Sequence, residues 1–220
     1  MSLEKATRLE DPGAEMLDRI TTTWDRHGRL ILGVALAVIA AGAVTFFLLR
    51  SRAAREEQAA AALAEANVLY WQGDYVTSLE RAKQVSAQFG STPSGIEAHR
   101  LAGDNAFWNG DFKTAVAEYR RYLDKAPAGL LADAGRRSLA YSLESDNQFA
   151  EASRTYESLV GRFDRSSSAE FLGGAARCYR ALNQPDEAMK RLQRIDQEFG
   201  ETSYANAARV EMAELAARAR

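Results

Sequence analysis

The pattern of apolar and polar positions divides the sequence into two parts. Residues 30–49 form an apolar run of twenty residues without a charge, bounded by Arg29 and Arg50. At about 1.5 Å of rise per residue, a helix of this length spans roughly 30 Å, the thickness of a bilayer core. The alternative is a cleaved signal sequence, but such an apolar region is shorter, lies nearer the N-terminus and ends in small residues. The run therefore predicts a transmembrane helix over residues 30–50.

The polar segment before the run, residues 1–29, carries several apolar residues at helical spacing. An Asp-Pro pair at residues 11–12 is a plausible helix start, and Trp24 suits the interface between bilayer and water. We expect a tail with a short amphipathic interfacial helix anchored by Trp24; a disordered tail is the alternative. The apolar positions on the shared face are Met16, Leu17, Ile20 and Trp24.

Within the apolar run, small residues recur every four positions and form one row along the helix. Such a row lets another helix approach closely, which favours association in lipid. The alternative is that Gly and Ala are simply common in transmembrane helices. The candidate helix-packing face consists of Gly33, Ala37, Ala41 and Thr45.

The second part, residues 51–220, repeats itself about every 37 residues. Gly73, Gly110, Asn147 and Asn183 follow one another at spacings of 37, 37 and 36, and these residue types tolerate a turn between helices. Small residues recur seven positions before and five positions after each of them. These are Ala66, Gly103, Ala140 and Ala176 before, and Ser78, Ala115, Ala152 and Ala188 after. The pattern predicts helix pairs that cross closely at the small residues and stack into a solenoid.

The string LAGDNAFWNGDFKTAVAEYRRYLDKAP, residues 101–127, resembles a tetratricopeptide repeat (TPR). Gly103, Gly110, Ala115, Tyr119 and Pro127 match that family's offsets, whereas the third and fourth copies lack the turn glycine. The resemblance covers about residues 55–220. It implies an all-α fold: one N-terminal transmembrane helix, then a TPR-like α-solenoid of about four helix pairs and a C-terminal capping helix.

The repeat frame also sets the expected boundaries in the domain of residues 51–220. The repeats are predicted at about 55–90, 94–127, 130–164 and 167–200, with the cap at 202–219. The helices are predicted at 53–72, 75–89, 94–108, 112–125, 130–145, 149–163, 168–182, 186–198 and 203–218.

Composition and charge exclude several function classes. The formal net charge is -2, from 28 basic and 30 acidic residues, so no basic face for nucleic acid is expected. Cys178 is the single cysteine and there are only two histidines, which are too few Cys and His ligands for a zinc site of the ordinary type. We interpret Cys178 as a small buried residue rather than a nucleophile. The sequence predicts no enzyme, metal site or cofactor.

The family resemblance implies that the first helix of each pair lines a partner-binding groove. The groove would be aromatic in its N-terminal half and more basic in its C-terminal half, and aromatics and Arg are favoured at binding hot spots. Alternatively, the aromatic residues pack between repeats. The candidates are Tyr70, Trp71, Arg100, Asp104, Phe107, Trp108, Arg137 and Tyr141, with Asn67, Glu144, Arg177 and Arg180 nearby.

The layout of polar tail, single span and repeats indicates an interaction protein. It resembles the ancillary subunit of the Sec translocon and other bacterial envelope TPR proteins. That implies a scaffold, an accessory subunit of a larger membrane protein complex. Alternatives are a Sec-associated periplasmic chaperone-like protein or a supernumerary subunit of a respiratory or photosynthetic complex.

The expected partners are membrane subunits contacting the tail and span, a protein or peptide in the groove, and the lipid bilayer. Three arginines lie near each end of the run, so the positive-inside rule gives a tie. A single internal anchor acts most simply as a signal-anchor. This favours the bacterial inner membrane, with a cytoplasmic N-terminus and a periplasmic C-terminal domain.

Overall fold

A computed structural model describes residues 12–218, and in that range every regular element is an α-helix. The chain divides into two compact units, residues 1–53 and 54–220. The helices are α1 (Pro12–Trp71), α2 (Tyr75–Phe89), α3 (Pro93–Trp108), α4 (Phe112–Lys125), α5 (Leu130–Ser145), α6 (Phe149–Leu159), α7 (Arg165–Ala181), α8 (Pro185–Glu198) and α9 (Ser203–Arg218).

The described part of the first unit is helical throughout. Helix α1 begins at Pro12, a residue suited to the first helical position because it has no amide hydrogen to leave unpaired. The segments predicted as an interfacial helix and a membrane helix are parts of this one helix, since no proline interrupts it after Pro12. Residues 1–11 of the predicted tail lie outside the described residues.

Helix α1 is long and apolar enough to cross a membrane, a property that signal sequences share. Its large apolar side chains between residues 30 and 49 are exposed, as is Trp24. The hydroxyl of Thr45 donates to the carbonyl oxygen of Ala41 at 2.8 Å. The one polar side chain of the predicted packing face is therefore satisfied within its own helix, as an apolar solvent requires.

The second unit is built from helices that pack successively along the chain. The turns within its helix pairs contain Gly73, Gly110, Asn147 and Asn183, and all four have positive φ, between 56° and 81°. This is the left-handed conformation that glycine and asparagine adopt most readily. The turn geometry predicted from the 37-residue spacing is therefore confirmed.

The repeated small residues lie where the helices cross. All eight of them are buried, and the hydroxyl of Ser78 donates to the carbonyl oxygen of Ala66 at 2.8 Å. Larger apolar side chains fill the space between the pairs in three core clusters that follow one another along the stack. The largest fully buried side chains in this core include Tyr156, Phe171, Leu101 and Leu143.

The helix predicted at 53–72 has no start of its own, because it is the C-terminal part of α1. From residue 71 onward, helix boundaries agree with the prediction within one residue except around the third connector. There α6 ends at Leu159 rather than at residue 163, and α7 begins at Arg165 rather than at residue 168. Gly161 has φ +83°, which stops α6, and the Asp164 carboxylate accepts the Ser167 amide at 2.6 Å. An N-cap at Asp164 therefore starts α7 earlier than predicted.

Polar side chains also fix the starts of the earlier helices. Asp74 and Asp111 cap α2 and α4, each accepting an amide hydrogen three residues further on at 3.1 Å. The carboxylate of Glu56, in the part of α1 that belongs to the second unit, accepts the amide and the hydroxyl of Ser94 at 3.2 and 2.6 Å. This contact joins α1 to the first turn of α3, a link that the repeat pattern does not predict.

Candidate protein-interaction surface

Six aromatic rings form a continuous run along the turns of the first two helix pairs. We call Trp71, Tyr70, Tyr75, Trp108, Phe107 and Phe112, in this order, the aromatic run. Successive ring centroids are separated by 5.3, 5.7, 6.4, 5.9 and 5.5 Å. Most of these contacts are edge-to-face, and Tyr75 stacks on Trp108 at an interplanar angle of 21°. Such ring geometries add attraction to that gained by burying apolar surface, so each ring stabilises the position of its neighbours.

The members of the run differ in exposure. Trp71 is 81% exposed and Trp108 is 61% exposed, whereas Tyr70 and Phe107 are half-buried against the core clusters. The alternative that all four pack between repeats therefore describes only Tyr70 and Phe107. The two tryptophans end α1 and α3 at equivalent positions of the repeat and present their rings to solvent.

Beside the run, Arg100 and Asp104 form a charged network on α3. Arg100 forms ion pairs with Glu97 and Asp104, and the Tyr119 hydroxyl donates to Asp104 at 2.6 Å. Burial raises the pKa of Asp104, although the charge of Arg100 and the hydrogen bond from Tyr119 oppose the rise. Burial also raises the pKa of Tyr70, and the charge of Asp104 raises it further. Tyr70 is thus coupled to this network.

In the C-terminal half, the basic side chains are engaged by carboxylates or rings. Arg177 forms a bidentate pair with Glu144 at 2.9 and 3.0 Å, and the Arg137 guanidinium lies 5.7 Å from the centroid of Phe163. The Tyr141 hydroxyl donates to Glu170 at 2.5 Å. Arg180 pairs with Glu211. The excess of basic residues predicted for this half is thus offset by neighbouring acidic ones.

The structure brings together some predicted groove residues and adds others. Tyr70, Trp71, Phe107 and Trp108 belong to one run, and Arg100 and Asp104 to the network beside it, whereas Arg137 and Tyr141 contact different neighbours. Sequence reasoning missed Tyr75 and Phe112, because they begin second helices and the groove was assigned to first helices. The aromatic residue directly after the Gly-Asp pair in each of the first two turns is the signal that could have identified them.

Two reactive side chains outside this surface, Cys178 and His99, are buried. Cys178 is fully buried, as predicted, and burial raises the pKa of its thiol to about 12. His99 pairs with the buried Glu118 at 2.8 Å, and Arg121 contacts the other carboxylate oxygen of Glu118. Among residues 12–218, no three His, Cys, Asp or Glu side chains come together in a group that could hold a metal ion.

Comparison with known proteins identifies the type of repeat. The family model described as Tetratricopeptide repeat matches residues 143–212. No curated protein is significantly similar to the sequence.

Solved structures share the architecture of the chain. One crystal structure contains the nearly identical TPR-like repeats of a Podosopora anserina protein described as a kinesin light chain. It has a TM-score of 0.58 and 19% sequence identity, and covers 73% of this chain and 86% of that one. A second crystal structure, of a single-residue variant of that protein, has the same TM-score and identity and covers 73% and 85%. The fold is therefore an all-α, TPR-like solenoid preceded by a long N-terminal helical segment, as predicted.

Proposed function

We propose that this chain is a non-catalytic, membrane-anchored scaffold, an accessory subunit of a larger membrane protein complex. TPR-like solenoids generally bind other proteins, so protein interaction is the function that this fold supports. The observation that carries the proposal is the exposure of Trp71 and Trp108 at equivalent repeat positions. Large apolar side chains exposed in a group mark interaction sites more often than they serve stability.

The first unit supplies the membrane part of the proposal. The exposed apolar stretch of α1 is long enough to span a bilayer, and its arginines lie at both ends rather than inside. In our proposal the row of Gly33, Ala37, Ala41 and Thr45 packs against a helix of another subunit, and Trp24 lies at the interface. We place the chain in the bacterial inner membrane, with its N-terminus in the cytoplasm and its repeats in the periplasm.

The role of the second unit is to hold a partner segment at the surface formed by the predicted groove residues. The candidates are Tyr70, Trp71, Arg100, Asp104, Phe107, Trp108, Arg137 and Tyr141. In the N-terminal half, the aromatic run offers apolar area beside the Arg100–Asp104 network, which offers charge. In the C-terminal half, the Arg–carboxylate pairs hold the side chains in defined positions. Such a surface positions a partner without any chemical step.

The double substitution Trp71→Ala and Trp108→Ala tests this surface. Both rings are largely exposed, so we expect a melting temperature within a few degrees of the wild type and loss of the copurifying partner. The measurement is thermal unfolding of the purified chain together with pull-down in mild detergent. A large drop in melting temperature would assign the two rings to packing, and unchanged partner retention would move the binding site elsewhere.

A Sec-associated chaperone-like protein makes a different prediction for the same purification. A chaperone would carry many substoichiometric unfolded clients, whereas an accessory subunit would carry a few partners at fixed stoichiometry. Quantitative mass spectrometry of the detergent-extracted complex therefore separates the two roles.

A further inference from the structure

The aromatic run lies beside a strongly acidic part of the chain. Between residues 56 and 80 the sequence contains Glu56, Glu57, Glu65, Asp74 and Glu80, and no Lys, Arg or His. This stretch covers the end of α1, the first turn and the start of α2, which carry three of the six rings. The Trp71 end of the run is therefore negative as well as apolar.

One of these acidic side chains faces solvent directly beside the run. Val68 is 55% exposed and lies about one turn before Trp71 on α1, whereas the exposed Glu65 lies nearly two turns before Trp71 and about 120° around the helix from it. Asp74 is exposed and follows Trp71 by three residues. Its carboxylate accepts the Thr77 amide hydrogen, which holds the side chain in place and leaves the negative charge to act outward.

The other end of the run is electrically balanced. Asp111 occupies the position after Trp108 that Asp74 occupies after Trp71. The hydrogen bonds from Thr114 lower the pKa of Asp111, and the charges of Lys83 and Lys113 lower it further. On the Trp71 side, the charge of Arg100 acts on the neighbouring Tyr70, but Arg100 is itself paired with two carboxylates, those of Glu97 and Asp104, so this side keeps a net negative charge.

Exposed indole faces beside carboxylates match a cationic ligand. A Lys or Arg side chain over a Trp ring gains cation–π attraction, which is strongest for Trp among the aromatic residues. Nearby carboxylates add Coulomb attraction, whereas the same carboxylates repel an anionic bilayer surface. Both features select a positively charged partner over a lipid headgroup layer.

We propose that the aromatic run binds a basic segment of a partner protein, with Lys or Arg side chains lying on Trp71 and Trp108 and against Asp74. This inference rests on the proposed function, because it names the chemistry of the partner that the scaffold holds. The apolar stems of the partner's basic side chains cover the rings, and their charged ends reach the Asp74 carboxylate.

The test is a binding titration with the full chain in neutral detergent. The probe is a short, fluorescently labelled peptide of alternating Arg and Ala, and the matched probe alternates Glu and Ala. We expect the Arg peptide to bind, with an affinity that falls as salt is added, and the Glu peptide not to bind. Trp71→Ala and Trp108→Ala should each reduce the affinity for the Arg peptide by about two- to fivefold, because each removes one exposed cation–π contact.

Matched variants separate the contributions of ring and charge. Asp74→Asn keeps a good helix cap, so it should leave the melting temperature unchanged. It should reduce the affinity for the Arg peptide and make that affinity less sensitive to salt. Trp24→Phe, which alters a tryptophan outside the run, should have no effect on the peptide.

Two outcomes overturn the inference. They are equal affinity for the two peptides, and Trp71 and Trp108 variants that bind the Arg peptide as the wild type does. The proposed function fails separately. A chain that retains stoichiometric partners but ignores the Arg peptide contradicts this inference alone, whereas a chain that is only monomeric in mild detergent contradicts the proposed function.

Discussion

Three helix glycines lie directly under tyrosine rings in the repeat domain. A Cβ atom added to Gly103 would come within 2.8 Å of the Tyr119 ring, and one added to Gly174 within 2.9 Å of the Tyr156 ring. Gly135 stands in the same relation to Tyr122, at 2.7 Å. These approaches are closer than carbon atoms tolerate without movement, so the absence of a side chain lets the paired helices cross at this distance.

Gly174→Ala should therefore destabilise the repeat domain. Its methyl group must displace the fully buried Tyr156 ring, which costs about 1–3 kcal/mol, partly offset by the better helix propensity of Ala. The adjacent Gly173→Ala is the control, because the nearest atom to its added Cβ is Ile195 Cδ1 at 4.0 Å. It should be neutral or stabilising by up to about 1 kcal/mol in urea unfolding. Equal effects of the two substitutions would contradict the close-crossing argument.

The buried Glu118 makes stability depend on pH. Burial opposes its ionisation, but the hydrogen bond from His99 and the charge of Arg121 prevail and lower its pKa below the usual value. A carboxyl group with a lowered folded-state pKa stabilises the fold above its unfolded pKa, about 4.3. That stabilisation is lost as pH falls through the lower, folded-state pKa.

Glu118→Gln should reduce stability at neutral pH by about 1–3 kcal/mol and flatten the acid limb of the stability curve. Urea unfolding between neutral pH and about pH 3 measures both effects. Glu151→Gln is the matched control, because Glu151 pairs with Arg120 where both side chains are nearly half exposed. It should change stability by less than about 0.5 kcal/mol. An acid limb unaffected by Glu118→Gln would refute the assignment.

At the scale of the element, the turns within the helix pairs have the same backbone conformation in every copy of the repeat. The same turn position holds Gly in two copies and Asn in the other two, because the backbone there needs a positive φ. The value of φ is 81° and 79° at the glycines and 60° and 56° at the asparagines. The third and fourth copies thus keep the turn of the first two without its glycine. The family model matches residues 143–212, which contain both of these turns, so the missing glycine does not reflect a different backbone.

Asn147→Ala should cost about 1–2 kcal/mol, because Ala is strained in the left-handed conformation at φ 60°. Asn147→Gly should cost little or nothing, since glycine adopts this conformation freely. Thermal unfolding of the two variants beside the wild type measures the difference. If Ala and Gly prove equivalent, the turn has relaxed to another geometry and the argument fails.

Most helix boundaries followed from spacing because the constraints are local: a turn residue, a cap and a periodic apolar face. The exception arose because Gly161, which stops α6, lay inside a segment predicted as helix, and because the cap at Asp164 starts α7 inside the segment predicted as a connector. The site was harder to predict. Tyr70 and Trp108 are separated by 38 positions, and only the folded stack brings their rings into one run with Tyr75 between them.

At the scale of the whole molecule, the chain combines two units with different surfaces. The first exposes apolar side chains along a helix that is long enough to span a bilayer, and the second exposes the two tryptophans of the aromatic run. Each surface favours a contact that the described residues do not supply internally. The proposed membrane anchoring and the proposed partner binding would together account for both exposures.

The most direct test of this account is the mass of the native species extracted from membranes in mild detergent. The account predicts a complex heavier than the monomer in its micelle, with partners at fixed stoichiometry, that dissociates when Trp71 and Trp108 are both replaced by Ala. A monomer in its micelle from wild-type membranes, or recovery of the chain in the soluble fraction, would contradict it.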